Sequence, residues 1–452
     1  MTKKRKALST THFIMLSFIA VILIGSFLLV LPISSADGNS VSYIDALFTA
    51  TTATCVTGLV TLPTVSTWSV FGQVVILCLI QLGGLGVVTV MSGVMVALHK
   101  KMGISDRLLI QDAFNLNTLS GLVRFVKNVI SATFIVEGFG ALLYMTVFVP
   151  KYGIRGIWIS IFNSISAFCN AGLDIISPNS LCEYATNPVI NMVTSALIIV
   201  GGIGYIVWWD VIRVIRLYRQ QGIKCFKRLS LHSKLALSMT ALLVVAGTLA
   251  FFLFEYSNEK TIGNHSLFDK MQISFFQSVT TRTAGFATIP QENLTNASAF
   301  VSLVLMFIGG SPVGTAGGIK TITAMVLFLT AVAMVRNKND VTAFNRSISP
   351  KAVKKAVAVF SMSFIIMFVS TVLLATVCDA PALDIIYETV SATATVGLTR
   401  NLTTTFNDWA KIIIIVTMYL GRIGPISLAV ALNMKKSSQN IVKTPVEEIS
   451  VG

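Results

Sequence analysis

Apolar residues in this chain gather into long uninterrupted stretches at 13–33, 70–98, 235–254 and 356–378. Each reaches or exceeds the roughly 20 residues that a helix needs to cross a bilayer. Between the long stretches lie shorter ones at 43–53, 157–168, 267–280 and 383–392, half apolar and rich in Ser, Thr and aromatics. These are too short to span and predict re-entrant half-helices. Before each of these comes one spanning helix, and after each comes another, approximately 70–98, 188–209, 297–335 and 409–434. The pattern predicts eight spans and four half-helices.

That order repeats four times, and the segments that follow the half-helices show why. They read Ala53-Thr54-Cys55-Val56-Thr57-Gly58-Leu59, Phe168-Cys169-Asn170-Ala171-Gly172-Leu173, Thr281-Arg282-Thr283-Ala284-Gly285-Phe286 and Thr393-Ala394-Thr395-Val396-Gly397-Leu398. Their glycines are separated by 114, 113 and 112 residues, and a large apolar residue follows each one. A fixed period marks a repeat architecture. The chain therefore divides into units at 1–100, 101–220, 221–340 (with a broken second helix) and 341–452 (with a C-terminal tail). The expected fold is all-α and polytopic, with four fused helix–pore-loop–helix repeats around a central pore.

Composition and charge sharpen this picture. Residues are 54% hydrophobic and only 12% charged, against about 25% charged in soluble domains. The formal net charge is +15, and 25 of the 34 Lys and Arg fall in five clusters: 3–6, 100–127, 213–234, 336–355 and 435–443. Those clusters occupy every second gap between apolar stretches, as cytoplasmic loops do. The opposite gaps hold acids such as Asp45, Asp174, Glu259 and Asp379. Both termini are expected in the cytoplasm, in agreement with an even number of spans. The first apolar run is too long for a signal peptide and has no small-residue cleavage site near Leu31-Pro32-Ile33. A nucleic-acid face would interleave basic and aromatic residues, and none is present. The six cysteines lack the paired spacing of a disulfide or zinc framework, and no clustered acid–base site within the spans suggests an enzyme.

Non-helical backbone at membrane depth is tolerated only where it is buried in protein or lines a watery path. Four glycine-centred segments imply one shared axial path. Glycine permits backbone angles that aim successive carbonyls inward, and rings of carbonyls replace the hydration shell of an ion such as K⁺. The negative C-terminal ends of the half-helices would point at the same centre. The candidate selectivity filter comprises Thr54, Cys55, Val56, Thr57 and Gly58; Cys169, Asn170, Ala171 and Gly172; Thr283, Ala284 and Gly285; and Thr395, Val396 and Gly397. K⁺ would sit at their carbonyls. The glycines at 83, 84, 86, 201, 202 and 204 read as helix-packing residues.

One repeat carries something extra. Its second helix is interrupted by Gly309, Gly310, Ser311, Pro312, Val313, Gly314, Thr315, Ala316, Gly317, Gly318, Ile319 and Lys320. Ile319 separates Gly318 from Lys320, so the stretch is not a nucleotide-binding P-loop. Gly and Pro at this density unwind a helix, placing a loop across the path as a candidate gate. A charge at the bilayer centre costs roughly 2.5–3.5 kcal/mol and marks function by default. Arg422, mid-helix in Gly421-Arg422-Ile423-Gly424-Pro425, is either an electrostatic barrier or an anchor for the loop. Lys320 either lies equally deep or snorkels to the cytoplasm. Arg282 is expected to brace the third filter segment from behind. Glu137, the one acid within a span, is a candidate partner for one of these cations.

At these residues the chain resembles the Trk/Ktr/HKT superfamily of potassium transporters, and within it the Ktr-type membrane subunit. The resemblance rests on Thr283-Ala284-Gly285-Phe286, on 315–321 of the broken helix and on 421–425, and it covers nearly the whole chain. The first repeat begins almost directly, without the extra N-terminal helices of Trk-type proteins. The resemblance implies K⁺ uptake across a bacterial plasma membrane, with Na⁺ as a possible coupling ion and no covalently bound cofactor. It also implies a homodimer among membrane lipids, seated on a cytosolic ring of nucleotide-binding regulatory subunits. A Na⁺-permeable or Na⁺/K⁺ cotransporting member of the superfamily is the alternative. Gly58 speaks against it, since serine at that position goes with sodium-selecting relatives. Cys169, Thr281, Arg400-Asn401 and Val313-Gly314 depart from the family's usual wording.

Overall fold

The computed structural model describes residues 10–98, 103, 107–108, 110–111, 121–218 and 222–424. The basic N-terminus, Pro425 and the basic tail after it lie outside the described residues.

The chain is a helical membrane protein, and within it each repeat runs outer helix, half-helix, glycine-centred segment, inner helix. The outer helices Thr10–Val30, Leu122–Tyr152, Leu231–Glu255 and Pro350–Val377 are long and apolar enough to cross a bilayer. They leave aliphatic and aromatic side chains such as Phe27, Phe139, Leu253 and Phe368 exposed on their outer faces, as lipid-facing helices do. Half-helices Tyr43–Thr54, Ile154–Cys169, Leu267–Thr280 and Ala382–Ala394 stand inside this ring and are largely buried. Serine at the third N-terminus caps the backbone N–H of Asp269, so that half-helix begins where a polar side chain can replace the missing carbonyl.

The inner helices differ from the sequence expectation. In the first two repeats they are not continuous spans. Val70–Leu85 meets Val87–Ala97 at 96°, and Pro188–Ile203 meets Tyr205–Arg216 at 98°. The hinges are Gly86 (φ 85°, ψ 134°) and Gly204 (φ 94°, ψ 140°), a backbone region essentially closed to residues with a Cβ. Glycines expected only to pack helices therefore divide into two kinds. Gly83, Gly84 and Gly201 pack tightly against neighbouring segments and Gly202 makes ordinary contacts, whereas Gly86 and Gly204 turn the chain. In the third repeat the inner helix is two pieces, Asn296–Phe307 and Thr321–Val335. In the fourth, Asp408–Ile423 is the described part. Among the described residues, four single helices and two bent pairs thus pass as membrane crossings by length and composition.

The outer ends of the repeats are tied by polar contacts. Asp45 of the first half-helix pairs with Lys411 of the fourth inner helix at 2.7 Å. Arg400, three residues after Gly397, pairs with Asp384 at 2.6 Å and donates to the carbonyl of Gln291 in the third repeat at 2.9 Å. Trp158 of the second half-helix donates to Gln73 of the first inner helix at 2.8 Å.

Candidate functional site

Within three residues of the end of each half-helix comes a residue with left-handed backbone, and the four occur at one register. Val56 (φ 55°), Asn170 (φ 59°), Thr283 (φ 68°) and Thr395 (φ 50°) all lie two residues before the repeat glycine. Three of them are β-branched, for which positive φ is a costly conformation that the surroundings must impose. Two residues on, Gly58 (φ 97°), Gly172 (φ 64°), Gly285 (φ 80°) and Gly397 (φ 96°) are left-handed again. The residue between is not. Alternating the sign of φ turns successive carbonyls toward one side, instead of the opposite sides that an extended strand would give them.

The four glycines close into a ring. A methyl group on Gly58 would stand 2.6 Å from the carbonyl of Ala171, 3.1 Å from Cα of Gly172 and 3.2 Å from Cα of Gly397. One on Gly172 would meet the Ala284 carbonyl at 2.7 Å and Cα of Gly285 at 2.8 Å. At Gly285 and Gly397 it would overlap the carbonyls of Val396 and Thr57. Neighbours around the ring follow chain order, 58–172–285–397, and no side chain fits between them.

Hydrogen bonds hold this ring from behind. The residue before each glycine donates back to its half-helix: Thr57 to Thr52 O (2.8 Å), Ala171 to Ser166 O (2.8 Å), Ala284 to Thr280 O (3.0 Å) and Val396 to Ser391 O (2.8 Å). Gly58 N donates to Thr52 Oγ1 at 2.9 Å, and Gly397 N to Ser391 Oγ at 3.0 Å. Below the ring, buried polar atoms lack protein partners: Oγ1 of Thr54, Thr57, Thr283, Thr393 and Thr395, and both amide atoms of Asn170. Buried polar groups almost always find a partner, so these segments keep hydrogen-bonding capacity that the protein itself does not use. The two cysteines face the other way. Cys169 Sγ lies against Gly84 and within 3.7 Å of Gln81 Oε1, while Cys55 is packed with Phe48, Leu59 and Met418.

The interrupting segment 308–320 crosses directly beneath. A Cβ on Gly317 would overlap Thr395 Oγ1 and lie 2.7 Å from the carbonyl of Ala394, and one on Gly309 would lie 2.9 Å from Thr283 Cγ2. Within the segment, Gly309 N donates to Ile319 O (3.0 Å) and Ile319 N to Phe307 O (3.1 Å). Its other bonds repair the bend in the second repeat. In a straight helix Tyr205 N would donate to Gly201 O. Here Tyr205 N donates to Val313 O (3.0 Å), Gly201 O accepts from Thr315 N (3.2 Å), and Gly202 O accepts from Ser311 N (2.8 Å). Thr315 Oγ1 adds a bond to Phe168 O at 3.0 Å, at the end of the second half-helix. Ala316, Gly314, Gly310 and Gly318 supply the small residues this close approach needs.

Of the intramembrane cations, Arg422 reaches both ways. Its Nη1 donates to Thr315 O at 2.6 Å, and its Nη2 to Gly83 O at 2.5 Å, a carbonyl freed by the first-repeat bend. Lys320 turns back into the segment, with Nζ 2.5 Å from Ala316 O. Arg282 is buried beside the third outer helix; Nη2 lies 3.3 Å from Thr240 Oγ1 and Nε has no partner. Glu137 does not pair with any of these cations. It accepts from Gln81 Nε2 at 3.2 Å instead, because its helix faces the first inner helix and not the axis. Sequence reasoning missed Gln81, Thr52 and Ser391, whose partners lie across the fold or behind the ring. It noted Arg400 only as a departure, although a charge on a turn otherwise expected to be neutral was the available signal.

A family profile described as TrkH, a cation transport protein, matches residues 2–444. The Ktr system potassium uptake protein B of Bacillus subtilis is 40% identical over 438 residues, covering 97% of this chain and 95% of its own. The potassium/sodium uptake protein NtpJ of Enterococcus hirae is 37% identical over 454 residues, covering 99% and 98%. The crystal structure of the potassium transporter TrkH from Vibrio parahaemolyticus superposes with a TM-score of 0.76 at 17% identity, over 95% of this chain and 86% of that one. At that identity the likeness shows the fold alone.

Proposed function

This chain belongs to the TrkH family of cation transport proteins, and from that premise we propose that it takes up K⁺ through the ring of Gly58, Gly172, Gly285 and Gly397. The observation that carries the reading is the closed ring of glycines, each preceded by a left-handed residue. Carbonyls turned to one side replace the hydration shell of a dehydrated cation. The half-helix C-termini add partial negative charge at the same point. The segment 309–320 is the gate, since it lies beneath the ring and is held by bonds that a moving backbone can exchange. Arg422 is its anchor.

The finer features follow from the same reading. The relative named for the Ktr system supports a partner subunit, which we place at the cytosolic loops as a nucleotide-binding ring beneath a homodimer. Alternating basic clusters support a bacterial plasma-membrane location with cytoplasmic termini. The relative named for potassium and sodium makes Na⁺ the second candidate ion, as a coupling ion or as co-transported cargo.

The test is ion uptake into liposomes by the purified chain, with K⁺ and Na⁺ compared in the same preparation. Gly285→Ser places a side chain where φ is 80° and where it overlaps the Val396 carbonyl. Left-handed backbone alone costs about 1–2 kcal/mol for such a residue, so the K⁺ over Na⁺ preference should fall by about 5- to 30-fold. Unchanged preference in a monodisperse variant would remove the ring from the ion path.

A further inference from the structure

The helix Tyr205–Arg216 leaves a membrane-crossing helix at 98°, so it runs along the membrane plane. One side is occupied: Tyr205, Val207 and Val214 are buried, with Val214 clustered against Cys225 and Leu229 of the following turn. The outward side is mixed. Ile212, Ile215 and Tyr218 are 38%, 53% and 50% exposed, and Arg213 and Arg216 stand among them. Trp208 and Trp209 lie at its start, half-buried. The helix carries a single acid, Asp210, which accepts from one Nη of the exposed Arg213 at 2.5 Å and from the backbone N–H of Ser230 at 2.8 Å, so it offsets one of the two arginines and leaves the helix net positive.

An outward face of isoleucines and arginines suits neither bulk water nor the hydrocarbon core. It suits the boundary between them, where apolar side chains dip into acyl chains and arginines meet phosphate. The corresponding arm of the first repeat, Val87–Ala97, has no charged residue, so the feature is not a general property of the bend. Charge complementarity selects the partner as anionic phospholipid.

We propose that Tyr205–Arg216 docks on the cytoplasmic leaflet, reading anionic headgroups with Arg213 and Arg216, and thereby holds the seat of the 309–320 segment. The link is backbone. Tyr205, the first residue of this helix, donates to Val313 O, and the Gly201 and Gly202 carbonyls freed by the bend accept from Thr315 and Ser311. Straightening the bend would return Tyr205 N to Gly201 O and strip the segment of these bonds. Docking keeps the bend, and the bend keeps the segment in place.

The docking part stands independently of the ion path, while its effect on flux rests on that reading. The full chain, with Cys78→Ser removing an exposed thiol and Ile215→Cys carrying a spin label, is placed in phosphatidylcholine liposomes with and without phosphatidylglycerol. The label should be relaxed by lipid-dissolved oxygen and shielded from an aqueous nickel chelate. A label open to the nickel chelate in both lipids overturns docking, and leaves the face to a soluble protein or a second copy of this chain. K⁺ flux of the unlabelled chain is then measured in both lipids. Each arginine at an anionic surface contributes about fivefold in affinity. Arg213→Gln combined with Arg216→Gln should therefore raise flux in phosphatidylglycerol liposomes by about 5- to 25-fold, and leave flux in phosphatidylcholine unchanged. A lipid-buried label with flux indifferent to headgroup charge in wild type and variant alike overturns the hold on the segment. A lipid-buried label with no K⁺ flux in any liposome counts against the ion-path reading and leaves docking supported.

Discussion

Replacing Arg422 with alanine removes one side chain that two repeats share. Its guanidinium donates to Thr315 O on the interrupting segment at 2.6 Å and to Gly83 O at 2.5 Å. A hydrogen bond from a charged donor is worth about 1.5–3 kcal/mol. Only the bond to Thr315 distinguishes the seated from the displaced segment, because Gly83 belongs to the first repeat in both. Losing it should shift the seated-to-displaced ratio by about 10- to 150-fold at 0.59 kcal/mol per RT unit. The segment keeps its backbone bonds to Gly201, Gly202 and Tyr205, so the variant is biased open and not permanently open. Deleting residues 310–317 removes those as well and should give the larger effect. The assay is K⁺ flux into liposomes from monodisperse protein, without any cytosolic partner. Arg422→Lys separates anchor from electrostatic barrier: it keeps the charge but has one donor centre instead of a fork. An anchor predicts raised flux in Lys as in Ala, whereas a barrier predicts wild-type flux in Lys. If well-folded Arg422→Ala and the deletion both show wild-type or lower flux, the segment is a structural kink and the reasoning fails.

Two further outcomes are expected. A single cysteine at Asp379, between the fourth outer helix and its half-helix, should react with an impermeant thiol reagent added to intact cells, and one at Lys224 should not; the opposite labelling would invert the topology. Asp174, just past the second ring glycine, is buried, and the loss of hydration pushes its carboxyl up to about 6 against the bonds from Ser180, Ile176 and Ser177. An unfolded aspartate titrates near about 3.9, so between these values the folded state holds a proton that the unfolded state has released. Its contribution to stability is then fullest below about pH 4 and is lost as pH rises through about 6. Asp174→Asn should raise the thermal midpoint at pH 7.5 and change it little at pH 4, as read by melting in detergent; equal shifts at both pH values would contradict this.

The ring was legible because every part of it is encoded locally. A half-helix too short to span, a polar turn and a glycine lie within about twenty consecutive residues, and period alone aligns the four copies. Glu137 was not legible, since its partner Gln81 lies on another repeat and the choice between an amide and a cation depends on helix rotation. Arg400 follows the same rule: its carboxylate is on the preceding half-helix and its carbonyl acceptor on the third repeat.

The bends and the interrupting segment share one origin, which the letters contain but periodicity conceals. The inner helices read Gly83-x-x-Gly86, Gly201-x-x-Gly204 and Gly421-x-x-Gly424, and the third repeat reads Gly309-x-x-Pro312. The first glycine of three of these quartets packs on the carbonyl four residues before the ring glycine: Thr54, Phe168 and Thr393. The last adopts φ of 85°, 94° and 85° with ψ of 134°, 140° and 141°. Proline is locked near φ −65° and cannot take that conformation. The third inner helix is therefore denied the turn its counterparts make. It leaves the helical path already at Ile308 and returns to helix only at Thr321. Thirteen residues of non-helical backbone must then find partners at membrane depth. The nearest unpaired groups are those that the second-repeat glycine hinge has released, and the guanidinium of Arg422 supplies the remaining donor. The interruption at 308–320 is what one proline does where the three counterpart helices carry a glycine hinge, and it is seated on the hinge next door.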